Sequence, residues 1–180
     1  MRSIAVAIAA LLLVAAGGEP ARIENLHAEL DGSRVLLSFE LLSAFDDHMR
    51  ERLESGLPTE LEYTLQLQRP RLWWFDKIFD RTTLQIVALY NAVTREYLVN
   101  TKLDGGLIDS RVVTGLAELE RSMTTVRQLP AFELEKELHP RTQLMVRGEL
   151  GSKHFLLLFS NRITTNWARV RMRDVGTVSP

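Results

Sequence analysis

The chain of 180 residues contains no cysteine. No disulfide can staple it, no thiol can serve as a nucleophile or soft metal ligand, and a lipid-modified N-terminal cysteine is excluded. Charge of one sign is also missing, since 22 Lys and Arg stand against 23 Asp and Glu for a formal net charge of −1. That balance leaves no surplus of positive charge for a phosphate backbone and excludes a dedicated nucleic-acid binder. G-x-S-x-G, P-loop and G-x-G-x-x-G strings are absent, which removes the usual signatures of acyl transfer, nucleotide hydrolysis and dinucleotide chemistry. The four histidines, His27, His48, His139 and His154, form neither H-x-H nor H-E-x-x-H, so there is no local metal frame and no cofactor is expected. With 46% hydrophobic and 25% charged residues, the composition is that of a folded globular chain rather than a disordered one.

What is there begins at the N-terminus. Arg2 precedes an apolar run from Ile4 to Ala16, followed by Gly17-Gly18-Glu19-Pro20-Ala21. This reads as a secretory signal peptide over residues 1–21, with Val14-Ala15-Ala16 as the small residues beside the cut. The competing reading is an uncleaved anchor, but 13 apolar residues reach only about 20 Å, short of a hydrocarbon core of about 30 Å. The expectation is therefore a periplasmic or secreted protein with no permanent membrane span. Residues 22–180 are expected to form a single domain, because no linker, low-complexity block or repeat interrupts them.

The dominant period is two. Val35, Leu37, Phe39 and Leu41 share one parity, and Leu61, Tyr63, Leu65 and Leu67 alternate with Glu62, Thr64, Gln66 and Gln68. Leu84, Ile86, Ala88 and Tyr90 repeat the pattern, as do Leu144, Val146 and Leu150, whereas Phe155 to Phe159 is apolar throughout. Ala168, Val170 and Met172 alternate with Trp167, Arg169, Arg171 and Arg173, which makes a strand with a basic outer face. Asp31-Gly32 predicts a hairpin turn, and Asn91 to Glu96 predicts another that pairs Tyr90 with Tyr97. Phe45, Met49 and Leu53 recur at helical spacing, with Asp46 or Asp47 as cap and Gly56 and Pro58 as stop. Leu116, Leu119, Met123 and Val126 predict a second helix between Thr114 and Leu129, capped by Thr114 and ended by Pro130. The fold expected is mainly β, an antiparallel β-sandwich, Ig-like in character, with two short interposed helices.

Two stretches stand out as contact surfaces. Arg69-Pro70-Arg71-Leu72-Trp73-Trp74-Phe75-Asp76-Lys77 carries three adjacent aromatics, and adjacent side chains on an extended backbone point to opposite sides. Trp73, Trp74 and Phe75 therefore cannot all enter one core. Flanked by Arg69, Arg71 and Lys77, they suit an anchor for a protein partner or a membrane interface, or else a plug for one end of the sandwich with Arg stacked on Trp. On the last strand, Arg169, Arg171 and Arg173 would stand about 7 Å apart and suit an acidic partner, unless acidic neighbours on the next strand neutralise them. Asp46, Asp47, Asp76, Asp80, Asp104 and Asp109 contain the raw material for a hydrolytic carboxylate pair, which requires a separation that only folding sets.

Several of these pieces occur together in one known family. Gly56-Leu57-Pro58, an alternating strand, Arg69-Pro70-Arg71 leading into Trp73-Trp74-Phe75-Asp76, and Tyr90 with Thr94-Arg95-Glu96-Tyr97 resemble the bacterial secreted family called domain of unknown function 4390. The helix opening at Thr114 and the segment from Phe159-Ser160 to Trp167 extend the resemblance over most of the chain. It implies an exported, sandwich-like domain without assigned catalytic residues, with a lean toward envelope signalling. The expectation is a non-catalytic protein-interaction module whose partner is another envelope protein. A domain that binds a lipid or other hydrophobic ligand is the alternative, and a carboxylate-dependent envelope hydrolase stands third.

Overall fold

A computed structural model of the chain describes residues 19–45, 47–71, 76–136, 138–150, 163–172 and 176–177. Residues 1–18 of the expected leader, Asp46, the triplet Trp73-Trp74-Phe75, the run Phe155 to Phe159 with His154, and Arg173 lie outside the described residues, as does the side chain of His48. The first two strands, β1 (Arg22–Asp31) and β2 (Arg34–Leu42), form a hairpin closed by Gly32-Ser33. Gly32 has φ of 61°, a conformation that a side chain would oppose. Helix α1 (Asp47–Glu54) follows and lays Met49 and Leu53 into the core, with Gly56 at φ 77° behind it as the expected stop.

Next come β3 (Thr59–Arg69), β4 (Lys77–Asn91), β5 (Glu96–Leu103) and β6 (Gly106–Val113), an antiparallel meander. Helix α2 (Leu116–Thr124) leads into β7 (Thr125–Glu133) and β8 (Gln143–Leu150). The short strands β9 (Ile163–Thr164), β10 (Ala168–Arg171) and β11 (Gly176–Thr177) complete the described elements. One sheet has the order β11-β1-β2-β7, the other β10-β8-β3-β4-β5-β6, with β9 beside β10 on the same edge of β8. All pairings are antiparallel except β1 with β11.

The inward parities are those of the sequence pattern. Val35, Leu37, Phe39 and Leu41 from the short sheet meet Leu61, Tyr63, Leu65, Leu67, Leu84, Ile86, Leu144 and Val146 from the long one in a single buried cluster. Tyr63 sits at its centre, fully buried, with its ring edge-on to Phe39 at 4.9 Å. Its hydroxyl donates to the Met123 carbonyl of α2 at 3.0 Å. Gly148 lies directly across from Tyr63 on β8, and a Cβ there would already be in van der Waals contact with the ring at 3.5 Å.

The second helix is shorter than expected. It stops at Thr124, and Val126, read as part of its apolar face, lies on β7 opposite Phe39. Thr124-Thr125-Val126 is β-branched and stiff at χ1, and β2 offers that stretch a ladder of backbone hydrogen bonds. Pro130 ends no helix. It sits inside β7 opposite Leu36, next to a register shift on the outer strand of the sheet. Thr114 is not the cap either, since Gly115 occupies that position at φ 93°, while the Glu118 carboxylate reaches back to the Thr114 N–H at 3.2 Å.

Burial pushes the Tyr63 phenol far above its ordinary value. The native state keeps this proton where the unfolded chain releases it, so the group's contribution is intact below about pH 10 and declines as pH rises beyond. Tyr63→Phe should cost about 1–2 kcal/mol in urea unfolding at neutral pH, because the Met123 carbonyl loses its donor. Above about pH 10 the same variant should lose stability less steeply than the parent chain. Equal steepness would show that Tyr63 does not couple to alkaline unfolding.

Candidate functional site

Strand lengths are mismatched, and the mismatch builds a surface. β4 has 15 residues, whereas its neighbour β5 ends where Leu103 pairs with Leu84. On the other side, β8 begins only at Gln143, opposite Gln68. The β4 side of the hairpin therefore runs past β5 while β8 flanks β3 to Gln68, and every residue from Asp76 to Arg81 is exposed. Asp104, in the β5–β6 turn, closes the ladder below this overhang. Its carboxylate accepts from the Thr82 hydroxyl at 2.7 Å and the Thr83 N–H at 2.8 Å.

A bulge sits in the overhang. Leu67 pairs with Asp80 and Gln68 with Ile78, so Phe79 is the extra residue with no partner across the ladder. Ile78 and Phe79 are consequently both exposed, at 44% and 42%. Two cations lie against the Phe79 ring, the Arg69 guanidinium at 5.5 Å and the Lys77 ammonium at 5.1 Å from its centre. Asp76 holds the base of the loop, accepting from the Arg71 N–H at 3.2 Å and the Gln68 side chain at 3.3 Å.

Register carries the surface across the sheet. On the face away from the core, one row runs Arg169, Met145, Gln66, Arg81 and the next runs Arg171, Gln143, Gln68, Ile78. At about 4.8 Å between strands, the backbones of Arg169 and Arg81 are about 14 Å apart. With its amide oxygen turned toward Arg81, Gln66 accepts two guanidinium hydrogen bonds of 2.9 and 3.0 Å. The two stretches singled out in the sequence thus meet at one end of the long sheet but on opposite faces, because Arg69 and Lys77 pair with each other one position beyond the outward Gln68–Ile78 pair. Arg69, Arg71 and Lys77 on the hairpin and Arg169 and Arg171 on β10 occupy one end of the long sheet, joined by Arg81.

Asp76 and Asp80 lie in the same overhang but bond to backbone N–H groups and the Gln68 amide there rather than to these side-chain cations. Across the strand from Arg169 and Arg171 lie Met145 and Gln143, and none of the six forms an ion pair among the described residues. One further aromatic extends the face. Trp167 stands partly exposed just before β10, with the Arg147 guanidinium 4.9 Å above its ring and Glu149 paired to that Arg at 2.9 Å. Ile78, Phe79 and Arg81 escaped the sequence reading. Ile78 and Phe79 are adjacent apolar residues that look like core, and only the bulge turns them outward.

The same end of the sandwich opens into a cavity of about 550 Å³. Leu30, Leu134, Leu138, Pro140 and Met172 supply its apolar lining, and Lys136 and His139 add polar groups. Thr142 ties two walls together, its N–H donating to the His139 carbonyl at 2.8 Å and its carbonyl accepting from Met172 at 2.9 Å. Glu135 also lines the cavity, but the described candidate aspartates do not converge on it. Asp47 pairs with Arg50, Asp109 with Arg111, Asp80 accepts from the Arg81 N–H, and Asp76 and Asp104 hold turns. Tyr90 and Tyr97 form the expected cross-strand pair, ring centres 4.9 Å apart, and burial raises the Tyr97 phenol pKa with help from Tyr90 and Glu54.

Among the described residues there is no group of three metal-ligating side chains and no helix long and apolar enough to cross a membrane. The molecule is a two-sheet β-sandwich with a cationic, aromatic-bearing overhang at one end. Residues 18–167 match the family model described as Domain of unknown function (DUF4390), and the chain belongs to that family. No curated protein and no solved structure matches it.

Phe79 is not part of the core, so Phe79→Ala should change unfolding stability by less than about 0.5 kcal/mol, plus up to about 1 kcal/mol for the two cation contacts. A loss of about 3 kcal/mol or more in denaturant unfolding would instead mark it as core.

Proposed function

We propose that the protein is a non-catalytic interaction module of the bacterial envelope, exported by its leader, which docks an acidic protein surface on the overhang end of the long sheet. One observation carries this reading. Six cations in a chain of net charge −1 gather at one end of the long sheet without an ion-pair partner among the described residues, Arg69 and Lys77 against the exposed Phe79 and Arg81, Arg169 and Arg171 on the face away from the core. Unneutralised charge of one sign steers a complementary partner and fixes its orientation, whereas arginine and aromatic side chains supply most of the affinity at protein contacts. By sequence, Trp73, Trp74 and Phe75 join the two strands of this hairpin and add aromatic anchors to it. The dispersed bonding of the acidic residues favours binding over hydrolysis, and the leader and the family resemblance favour a place in envelope signalling.

Crosslinking in the envelope with the Arg169→Glu/Arg171→Glu double variant tests the docking face. The acidic partner captured by the parent chain should fall by about tenfold or more, with unfolding stability unchanged. Trp73→Ala/Trp74→Ala should also lose it. Capture that is unaffected by both changes, or binding to anionic vesicles in place of any protein, would overturn the reading.

The cavity favours a second reading, binding of a hydrophobic ligand. Its volume lies within the range of about 300–1,000 Å³ common for small-molecule sites, and its lining is mostly apolar. Native mass spectrometry of protein purified from the envelope should then detect a bound apolar molecule that Leu138→Trp displaces. An empty parent protein would sink this second reading.

A further inference from the structure

Among the described residues the long sheet ends on one side at β6, which pairs there only with β5. An open edge presents a row of unpaired backbone N–H and C=O groups, and natural edges are usually blunted by Pro, Lys or a covering loop. β6 carries neither Pro nor Lys, and three of its apolar side chains are exposed, Leu107 at 60%, Ile108 at 50% and Val112 at 58%. Its guards are the charges of Asp109 and Arg111, which pair with each other, and a register shift, where Asp109 pairs with Thr101 and Leu107 with Lys102, which leaves Ile108 as the extra residue.

We propose that β6 is a self-association edge, and that it takes β6 of a second copy of this chain in antiparallel register about Ser110. The sequence Leu107-Ile108-Asp109-Ser110-Arg111-Val112-Val113 is complementary to its own reverse. With Ser110 on the two-fold axis, Asp109 faces the partner subunit's Arg111 and Arg111 faces the partner subunit's Asp109. Ile108 lies opposite the partner subunit's Val112, and Leu107 opposite the partner subunit's Val113. Within the chain, Arg111 already sits beside Asp109 at 2.7 Å, so both side chains occupy one face of the strand and the pair would close into an alternating cluster of four charges. Every other register that keeps the strands antiparallel breaks at least part of this match. An isologous contact of this kind closes on itself and yields a dimer rather than a filament.

This edge does not involve the overhang or the cavity, so the inference stands apart from the proposed function. Sedimentation velocity across a concentration series should reveal a monomer–dimer equilibrium for the parent chain. Asp109→Arg alone and Arg111→Asp alone should each weaken it by about tenfold, since each turns two attractive cross-strand pairs repulsive. The double variant should recover dimerisation, and an equimolar mixture of the two single variants should form a mixed dimer. A second measurement uses the absence of native cysteine. Ser110→Cys, placed on the axis, should oxidise to a disulfide-linked dimer much faster than Val93→Cys, which is 91% exposed in the β4–β5 turn. A parent chain that stays monomeric at every concentration, single reversals without effect, or equal oxidation of the two cysteine variants would overturn the proposal.

Discussion

One phenol hydroxyl in a dry core constrains the whole arrangement. Tyr63 touches Phe39 of the facing sheet, stands across from Gly148 on the neighbouring strand and donates to Met123 of α2. A buried hydroxyl left without a partner costs about 1–3 kcal/mol, so the helix must present its carbonyl there and the two sheets must close at the distance the ring sets. In a chain with no disulfide, contacts of this kind take the place of covalent cross-links. Gly148 is the complement, since a Cβ there would already be in van der Waals contact with the ring at 3.5 Å.

Fixing β3 at its middle also fixes where its ends fall. With Tyr63 in the core, the alternation carries inward residues only as far as Leu67, while the strand continues to Arg69 and its partner β4 starts at Lys77. β5 does not follow the hairpin out, and β8 accompanies β3 only as far as Gln68. The overhang is thus a consequence of core register meeting unequal strand length, and its residues are free to be cationic and aromatic because no opposing sheet buries them. The bulge at Phe79 serves the same end, since an extra residue in the ladder turns a side chain that strict alternation would have paired.

The sequence made some of this legible and hid the rest for identifiable reasons. Val35 to Leu41, Leu61 to Leu67 and Leu144 to Leu150 alternate because one face is buried and the other wet, so period two speaks directly. Met49, Leu53 and Gly56 announced α1 equally well. β6 escaped, because a strand exposed on both faces up to Val112, Gly106–Val113, has almost no burial contrast to write into its pattern. β7 escaped because the helical spacing of Leu116, Leu119 and Met123 happens to extend to Val126, and only the ladder with β2 separates helix from strand there. The two cationic stretches were visible as residues but not as neighbours. Nearly a hundred positions separate Arg71 from Arg169, and only the pairing of β8 between β10 and β3 brings them to one end of the sheet.

Strand order also keeps the two surfaces from competing. Counting across the long sheet, the arginines of β10 lie on one edge and β6 lies on the other, with the hairpin between them. β5 pairs with β4 only from Leu84 onward, so β5 and β6 flank the half of β4 away from the overhang. A second copy joined through β6 would therefore leave both overhangs open. It would present two cationic faces on one rigid body, and a partner with two matching acidic sites would meet the second at raised effective concentration. Weak contacts typical of exposed charge would then suffice for stable docking, which would be the physical advantage of separating a self-association edge from a docking end on the same sheet.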